Sequence, residues 1–266
     1  MFIMLSSPII TLTTDWTTGD FFVGMMKGRL LSLIESARVV DITHDIPRGD
    51  LTRAAFIVRA ACMGFPAGTV HIIDVGVICS PVVIRYRDQY FICSDNGLPH
   101  AIFGSDIDAA VRLAEPDGGA VFLTFPACTL FAPVAQQLCA GVPMASLGAP
   151  VESLIAMRTM GYMEVPNGLI VYVNYVDRYG NVYLSICHDQ FEQIRRGRPF
   201  LLRLREYTVR QVSRSYLDAA TGDSVHPGVV LTVSATGYLQ LALPKSSLEQ
   251  LVGSRVMEQL RFDFEG

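Results

Sequence analysis

Few side chains in this sequence carry charge. Of its 266 residues only 17% are Asp, Glu, Lys or Arg, and 50% are hydrophobic. The formal net charge is -4. No basic block occurs, which argues against nucleic acid as a main partner. No apolar run approaches the roughly 20 residues of a membrane-spanning helix, so no membrane partner is expected. The opening stretch MFIMLSSPIITLTTD is short and lacks a basic flank, so it does not read as a signal peptide. The six cysteines, at 62, 79, 93, 128, 139 and 187, form no CxxC and no paired spacing. They read as free thiols in a reducing cytoplasm, not as zinc ligands or disulfides. Internal repeats and low-complexity segments are also missing. What is present is ample apolar material for one large domain or two smaller ones. Abundant apolar residues with few charges further imply surface buried between subunits.

The stretch from Thr69 to Gly97, TVHIIDVGVICSPVVIRYRDQYFICSDNG, organises the chain. Val70 to Ile73 is a short apolar run that drops into Asp74. A buried parallel strand reads this way and places Asp74 at its carboxyl end, the edge where open α/β sheets bind ligands. Strands follow at Val82 to Arg87 and Tyr90 to Cys93, and the segment closes on the turn Ser94-Asp95-Asn96-Gly97. Asp95 reads equally as a turn cap or a site residue. Asp74 is less generic, because Val-Gly-Val is a poor ordinary turn.

Upstream, Pro8 to Leu12 is an expected strand and Phe21 to Ile34 an expected helix with Asp20 as N-cap. Gly24 and Gly28 share one face and would allow close helix packing. Asp15, between this strand and helix, has two readings: a structural cap, or an acceptor for both hydroxyls of a ribose. Arg38 to Ile42 is a strand ending near His44, which reads as a hydrogen-bonded structural residue. Leu51 to Cys62 is a helix. His100 to Phe103 and Ile107 to Leu113 look helical or irregular. Val121 to Thr124 is a short strand, and Leu130 to Ala140 a helix with Pro133 in its first turn.

This alternation predicts an α/β domain over residues 1–150, a mostly parallel sheet sandwiched by helices. Residues 151–166 read as a linker, and 167–266 as an antiparallel β barrel or sandwich. Hairpins are expected around Asp177-Arg178-Tyr179-Gly180-Asn181 and Ala235-Thr236-Gly237, a short helix at Ser246 to Leu251, and a last strand at Arg255 to Phe264.

Several runs carry a resemblance. They are Leu12-Thr13-Thr14-Asp15, Val23 to Gly28, Asp41 to Pro47, Gly68-Thr69-Val70-His71, Asp95-Asn96-Gly97-Leu98, Phe131-Ala132-Pro133, Val176 to Asn181 and Gly237-Tyr238-Leu239. In order and across nearly the whole chain, they resemble the S-adenosylmethionine (SAM) hydroxide adenosyltransferase family, the SAM hydrolases related to fluorinase and chlorinase. The resemblance implies a homotrimer with SAM between the amino domain of one subunit and the carboxyl domain of the next. It implies SAM as substrate, with no cofactor and no metal. Asp15 would hold the ribose diol, Asp177 the methionine ammonium, Tyr179 the adenine face and Asn181 its edge. Thr236 would join the substrate site, and Asp74 would lie nearest the reacting carbon. The reaction would be displacement by water at C5′ of the ribose, giving adenosine and methionine.

The family's catalytic Arg and His positions are substituted, by Pro81 and Pro126. Arg85 or Arg87 could stand in for the arginine if one faced inward. Three functions follow: a divergent SAM hydrolase, a non-catalytic adenosine- or SAM-binding trimer, or a changed nucleophile or substrate. A halide is a poor candidate, since Pro126 offers no donor to replace its hydration shell. Cys128 reads as an unusual nucleophile or, more simply, a small apolar thiol.

Overall fold

Runs rich in Ile and Val, separated by helices, give the first part of the chain a doubly wound sheet. The computed structural model describes residues 7–77, 79–114, 124–205, 207–216, 228–244, 246–248, 250, 253 and 256–265. The chain divides into two compact units, Met1–Arg158 and Thr159–Gly266. In the first, the strands are β1 (Ile9–Thr14), β2 (Arg38–Thr43), β3 (Val70–Asp74), β4 (Pro81–Tyr86), β5 (Gln89–Ser94), β6 (Ala109–Leu113) and β7 (Gly148–Pro150). The helices are α1 (Phe22–Leu33), α2 (Leu51–Ala61), α3 (Leu98–Phe103) and α4 (Ala132–Cys139), the last entered through a π-helical turn at Ala127–Phe131. No helix among the described residues is long and apolar enough to cross a membrane.

The seven strands lie in the order β2-β1-β3-β5-β4-β6-β7. β2, β1, β3 and β5 pair in parallel, and β4 is antiparallel to both β5 and β6. β6 therefore runs with the parallel set, β7 runs against it, and five of seven strands share one direction. The chain steps from β1 to β2 on one side, then crosses back to β3 on the other. The topological switch point thus lies between the carboxyl ends of β1 and β3, where such sheets bind ligands.

Two cores follow from the alternation of each strand. Ile10, Leu12, Ile72, Val83 and Ile92 point to the face covered by α1 and α4. Ile73, Val82, Ile84, Phe91 and Cys93 point to the face covered by α2 and α3. Both faces of the central strands are apolar, as a sheet buried on two sides requires.

The second unit is one curled sheet. Its strands are β8 (Met163–Val165), β9 (Gly168–Val176), β10 (Val182–Cys187), β11 (Phe200–Leu204), β12 (Tyr207–Val209), β13 (Val212–Ser213), β14 (Val230–Val233), β15 (Tyr238–Ala242) and β16 (Gln259–Phe264). Their order is β12-β11-β16-β9-β10-β15-β14-β13, with β8 also on β9. Phe191, on helix α5 (His188–Arg195), fills the concave face against Phe200 and Phe262, at ring centroid distances of 5.2 and 4.8 Å.

Several expectations are corrected. Within Ile107 to Leu113, expected to be helical or irregular, Ala109–Leu113 are a strand, because Val111 and Leu113 pack on one face of the sheet while β4 and β7 take their backbone bonds. Asp20 does not cap α1: the helix starts after Phe21, and Asp20 Oδ1 instead accepts the Phe21 N–H at 2.7 Å. Gly24 and Gly28 permit no close packing among the described residues, since a Cβ at either would meet nothing within 4 Å. The strand expected at Val121 to Thr124 lies outside the described residues except for Thr124, which sits in a turn; part of the Ser246 to Leu251 helix is likewise outside. Helix α5 was not foreseen. Its N-cap is Cys187, whose sulfur accepts from the Gln190 N–H while Gln190 Oε1 accepts the Cys187 N–H, so the usual Ser or Thr signal is missing.

Asp95 proves to be a fastener. It is fully buried, its Oδ2 accepts from Arg112 Nη2 at 3.1 Å, and its Oδ1 accepts the Ile155 N–H at 2.9 Å. It ties β5 to β6 and to the segment after β7. Asp95→Ala removes both bonds and leaves the space of a buried carboxylate; it is expected to lower stability by about 1–3 kcal/mol in urea unfolding, with Asp95→Asn milder. An unchanged urea midpoint in the alanine variant would show that the fastener is dispensable.

Candidate functional site

Three loops meet at the switch point, and Asp15 joins them. Its Oδ2 accepts the N–H of Gly49, from the loop before α2, at 2.8 Å. The same oxygen accepts the N–H of Gly76, from the loop after β3, at 3.0 Å. Oδ1 takes no hydrogen bond from the described residues. Both readings of Asp15 therefore have an atom available: one oxygen is a structural clamp, and the other is open to a ligand. Gly76 has φ 79°, and a Cβ there would stand 3.6 Å from Gly49 Cα and from Leu51 Cδ2. From the opposite side, Asn96 Nδ2 donates to the Val75 carbonyl at 3.1 Å.

Beneath this clamp lies Asp74, the last residue of β3, with 6% of its surface exposed. Trp16 Nε1 donates to its Oδ2 at 3.1 Å. Burial and the neighbouring Asp15 charge push the Asp74 carboxyl up from 3.8 to about 7, while the Trp16 bond pulls the other way. In the sequence Trp16 carries no signal beyond its position, next to Asp15 at the end of the first strand. Around it stand His44 and Phe125, the latter edge-on at 4.9 Å. His44 is hydrogen-bonded, as its sequence setting implied. It is buried, Nδ1 bonds the Thr14 hydroxyl at 2.8 Å, and Nε2 lies 3.2 Å from Asp41 Oδ1.

Neither Arg85 nor Arg87 reaches Asp74. Arg87 and Asp88 form the two-residue β4–β5 turn, both at positive φ, at the opposite end of the sheet. Arg85 pairs with Asp88 in that same turn, and its register partner Tyr90 aligns with Val70, four residues before Asp74. Pro126 enters the π-helical turn before α4. Burial raises the Cys128 thiol, which favours its reading as an apolar thiol over a nucleophile. No group of His, Cys, Asp or Glu among the described residues is arranged to hold a metal ion.

The second unit brings Asp177, Tyr179 and Asn181 to one cavity of about 660 Å³, also lined by Tyr183 and Tyr216. Asp177 organises the turn. Its Oδ1 accepts the N–H groups of Tyr179 and Asn181, both at 2.9 Å, and its Oδ2 accepts from Asn181 Nδ2 at 2.9 Å and Tyr183 OH at 3.3 Å. Tyr179 is 81% exposed, its ring free to lie against a flat ligand. Gly180, at φ 78°, allows the turn to close on Ser247, whose hydroxyl would be 2.0 Å from a Cβ there. Thr236 does not line this cavity. It sits in the β14–β15 turn, its hydroxyl 2.8 Å from that of Ser234, and β10 spans about 17 Å between the two turns.

The fold defines an α/β domain with a mostly parallel sheet, with Asp15 and Asp74 at its switch point, followed by a β domain. The chain belongs to the SAM hydroxide adenosyltransferase family: the family's N-terminal domain matches residues 10–148 and its C-terminal domain residues 171–261. An (R)-S-adenosyl-L-methionine hydrolase of Salinispora arenicola is 31% identical over 268 residues, covering 97% of this chain and 98% of its own. A fluorinase of Actinopolyspora mzabensis is 25% identical over 286 residues, covering 91% and 93% of the two chains. An uncharacterized conserved protein of Thermotoga maritima shares the fold at a TM-score of 0.83, with 22% identity and coverage of 96% and 99%.

The raised Asp74 carboxyl makes a stability prediction. The folded protein binds this proton more tightly than the unfolded chain does. The carboxyl therefore gives its full contribution below about pH 4 and loses it as pH rises to about 7. Asp74→Asn removes that penalty and is expected to raise stability at pH 8 by on the order of 2–4 kcal/mol. The gain should shrink steadily from pH 7 to pH 4. Thermal unfolding of both proteins across that range checks it, and equal Tm values at pH 8 would contradict it.

Proposed function

We propose that this protein hydrolyses SAM by in-line displacement at the ribose C5′ carbon. Asp74 carries the reading: a buried carboxyl that titrates near neutrality, at the carboxyl edge of the sheet, with one oxygen unbonded by the described residues. A general base is most effective when its pKa lies close to the working pH. Water oxygen attacks C5′ and passes its proton to Asp74. The C5′–S bond breaks and its electron pair goes to sulfur. Methionine leaves as a neutral thioether, so no acid is required. Asp15 Oδ1 holds the ribose hydroxyls, and the rigid crevice supplies alignment.

The methionine and adenine portions fall to Asp177, Tyr179 and Asn181, contributed by a neighbouring copy in a homotrimer. A second reading, a non-catalytic SAM or adenosine binder, draws support from one observation: no cation among the described residues stands beside Asp74 to keep it ionised.

Incubation with SAM is expected to release adenosine and methionine. In ¹⁸O-water the label should enter the adenosine 5′-hydroxyl. Asp74→Asn should slow this about 10²–10⁴-fold, and the rate should rise through pH 7 as Asp74 ionises. Asp15→Ala should weaken SAM binding by about 1.5–3 kcal/mol in calorimetry. Binding without turnover in the unaltered protein would establish the second reading; undiminished turnover in Asp74→Asn would refute Asp74 as base. Light scattering at micromolar concentration should report a trimer, and a monomer would leave the adenine and ammonium contacts without a source.

A further inference from the structure

Tryptophan occurs once in this chain, at position 16. Its indole N–H donates to Asp74 Oδ2 at 3.1 Å. Asp74 Oδ1 receives no hydrogen bond from the described residues, so the ring tethers one oxygen and leaves the other. The ring is itself held. Phe125 meets it edge-on with centroids 4.9 Å apart and an interplanar angle of 72°. His44 lies nearly parallel to it, at 13° and 6.3 Å. His44 is buried, its Nδ1 bonded to the Thr14 hydroxyl and its Nε2 3.2 Å from Asp41 Oδ1. The Trp16 backbone N–H also reaches Thr14 Oγ1, at 3.5 Å. An indole N–H donates and cannot accept, so it can orient a carboxylate without competing for the proton that the carboxylate must take.

We propose that Trp16 is the positioning residue of the Asp74 base, fixing the carboxylate through Oδ2 so that Oδ1 is presented to the attacking water. This role rests on the hydrolase reading of Asp74, whereas the tether itself can be measured without turnover. The charged and titratable groups facing the pair are Asp15 on the same loop, His44 behind the ring, and Asp41 with its partner Lys27 behind His44. Phe22 and Phe125 bring none.

One tryptophan gives one indole N–H resonance in ¹⁵N-labelled protein. In the unaltered chain that resonance is expected to shift in a single step near pH 7. In Asp74→Asn the step should vanish. No step in the unaltered chain, or a step that persists in Asp74→Asn through His44 or Asp15, would overturn the tether. Trp16→Phe keeps the ring contacts and removes the donor. It should lower kcat about tenfold, change KM by less than about twofold, and move the acid limb of the kcat profile to higher pH. An unchanged kcat and limb would overturn the positioning role even where the resonance titrates. An Asp74-linked step in a protein that does not cleave SAM would establish the tether but refute the hydrolase reading, and with it the role in catalysis.

Discussion

One carboxylate oxygen, Asp15 Oδ2, draws together the loops that leave β1, β2 and β3. Loops diverge at a switch point, the place where such sheets bind ligands. Two backbone N–H groups on one charged acceptor hold these loops together, since hydrogen bonds to charged groups are the stronger ones. The glycines at 49 and 76 follow from the same constraint. Both have positive φ, a backbone conformation that L side chains rarely adopt. The Asp15 charge also reaches Asp74 and adds to the burial that raises its carboxyl.

Asp74 and Asp95 show how environment divides two like residues. They close neighbouring parallel strands. Asp95 meets a guanidinium and a backbone N–H, and both its oxygens are engaged. Asp74 meets one indole N–H and the negative charge of Asp15. The first is a fastener. The second is held in a setting that disfavours its ionised form, a local sacrifice of stability of the kind found where a protein needs reactivity.

In the second unit the corresponding economy is local. Asp177 binds the backbone of its own turn and the side chains of Asn181 and Tyr183, so the turn is rigid before any ligand arrives. Rigidity of this kind lowers the ordering cost of binding. Tyr179 is then displayed on a fixed support.

The sequence by itself determined the order of strands and helices through most of the first unit, because hydrophobic period and Gly or Pro punctuation are local signals. It also determined that Asp15 and Asp74 end strands, and its motifs pointed to the family. Several things were not legible. The strand at Ala109–Leu113 depends on partners distant in sequence. Helix α5 has a cysteine cap that no common pattern announces. The separation of Thr236 from Asp177 depends on which ends of β10 their turns occupy. Only tertiary structure decided that Asp95 is a fastener, that Arg85 and Arg87 lie away from Asp74, and that Trp16 grips Asp74 across 58 positions. The physical reason is common to all of these. A side chain's charge state and partners are set by burial and by groups brought near through strand pairing, and neither is written in the residues beside it.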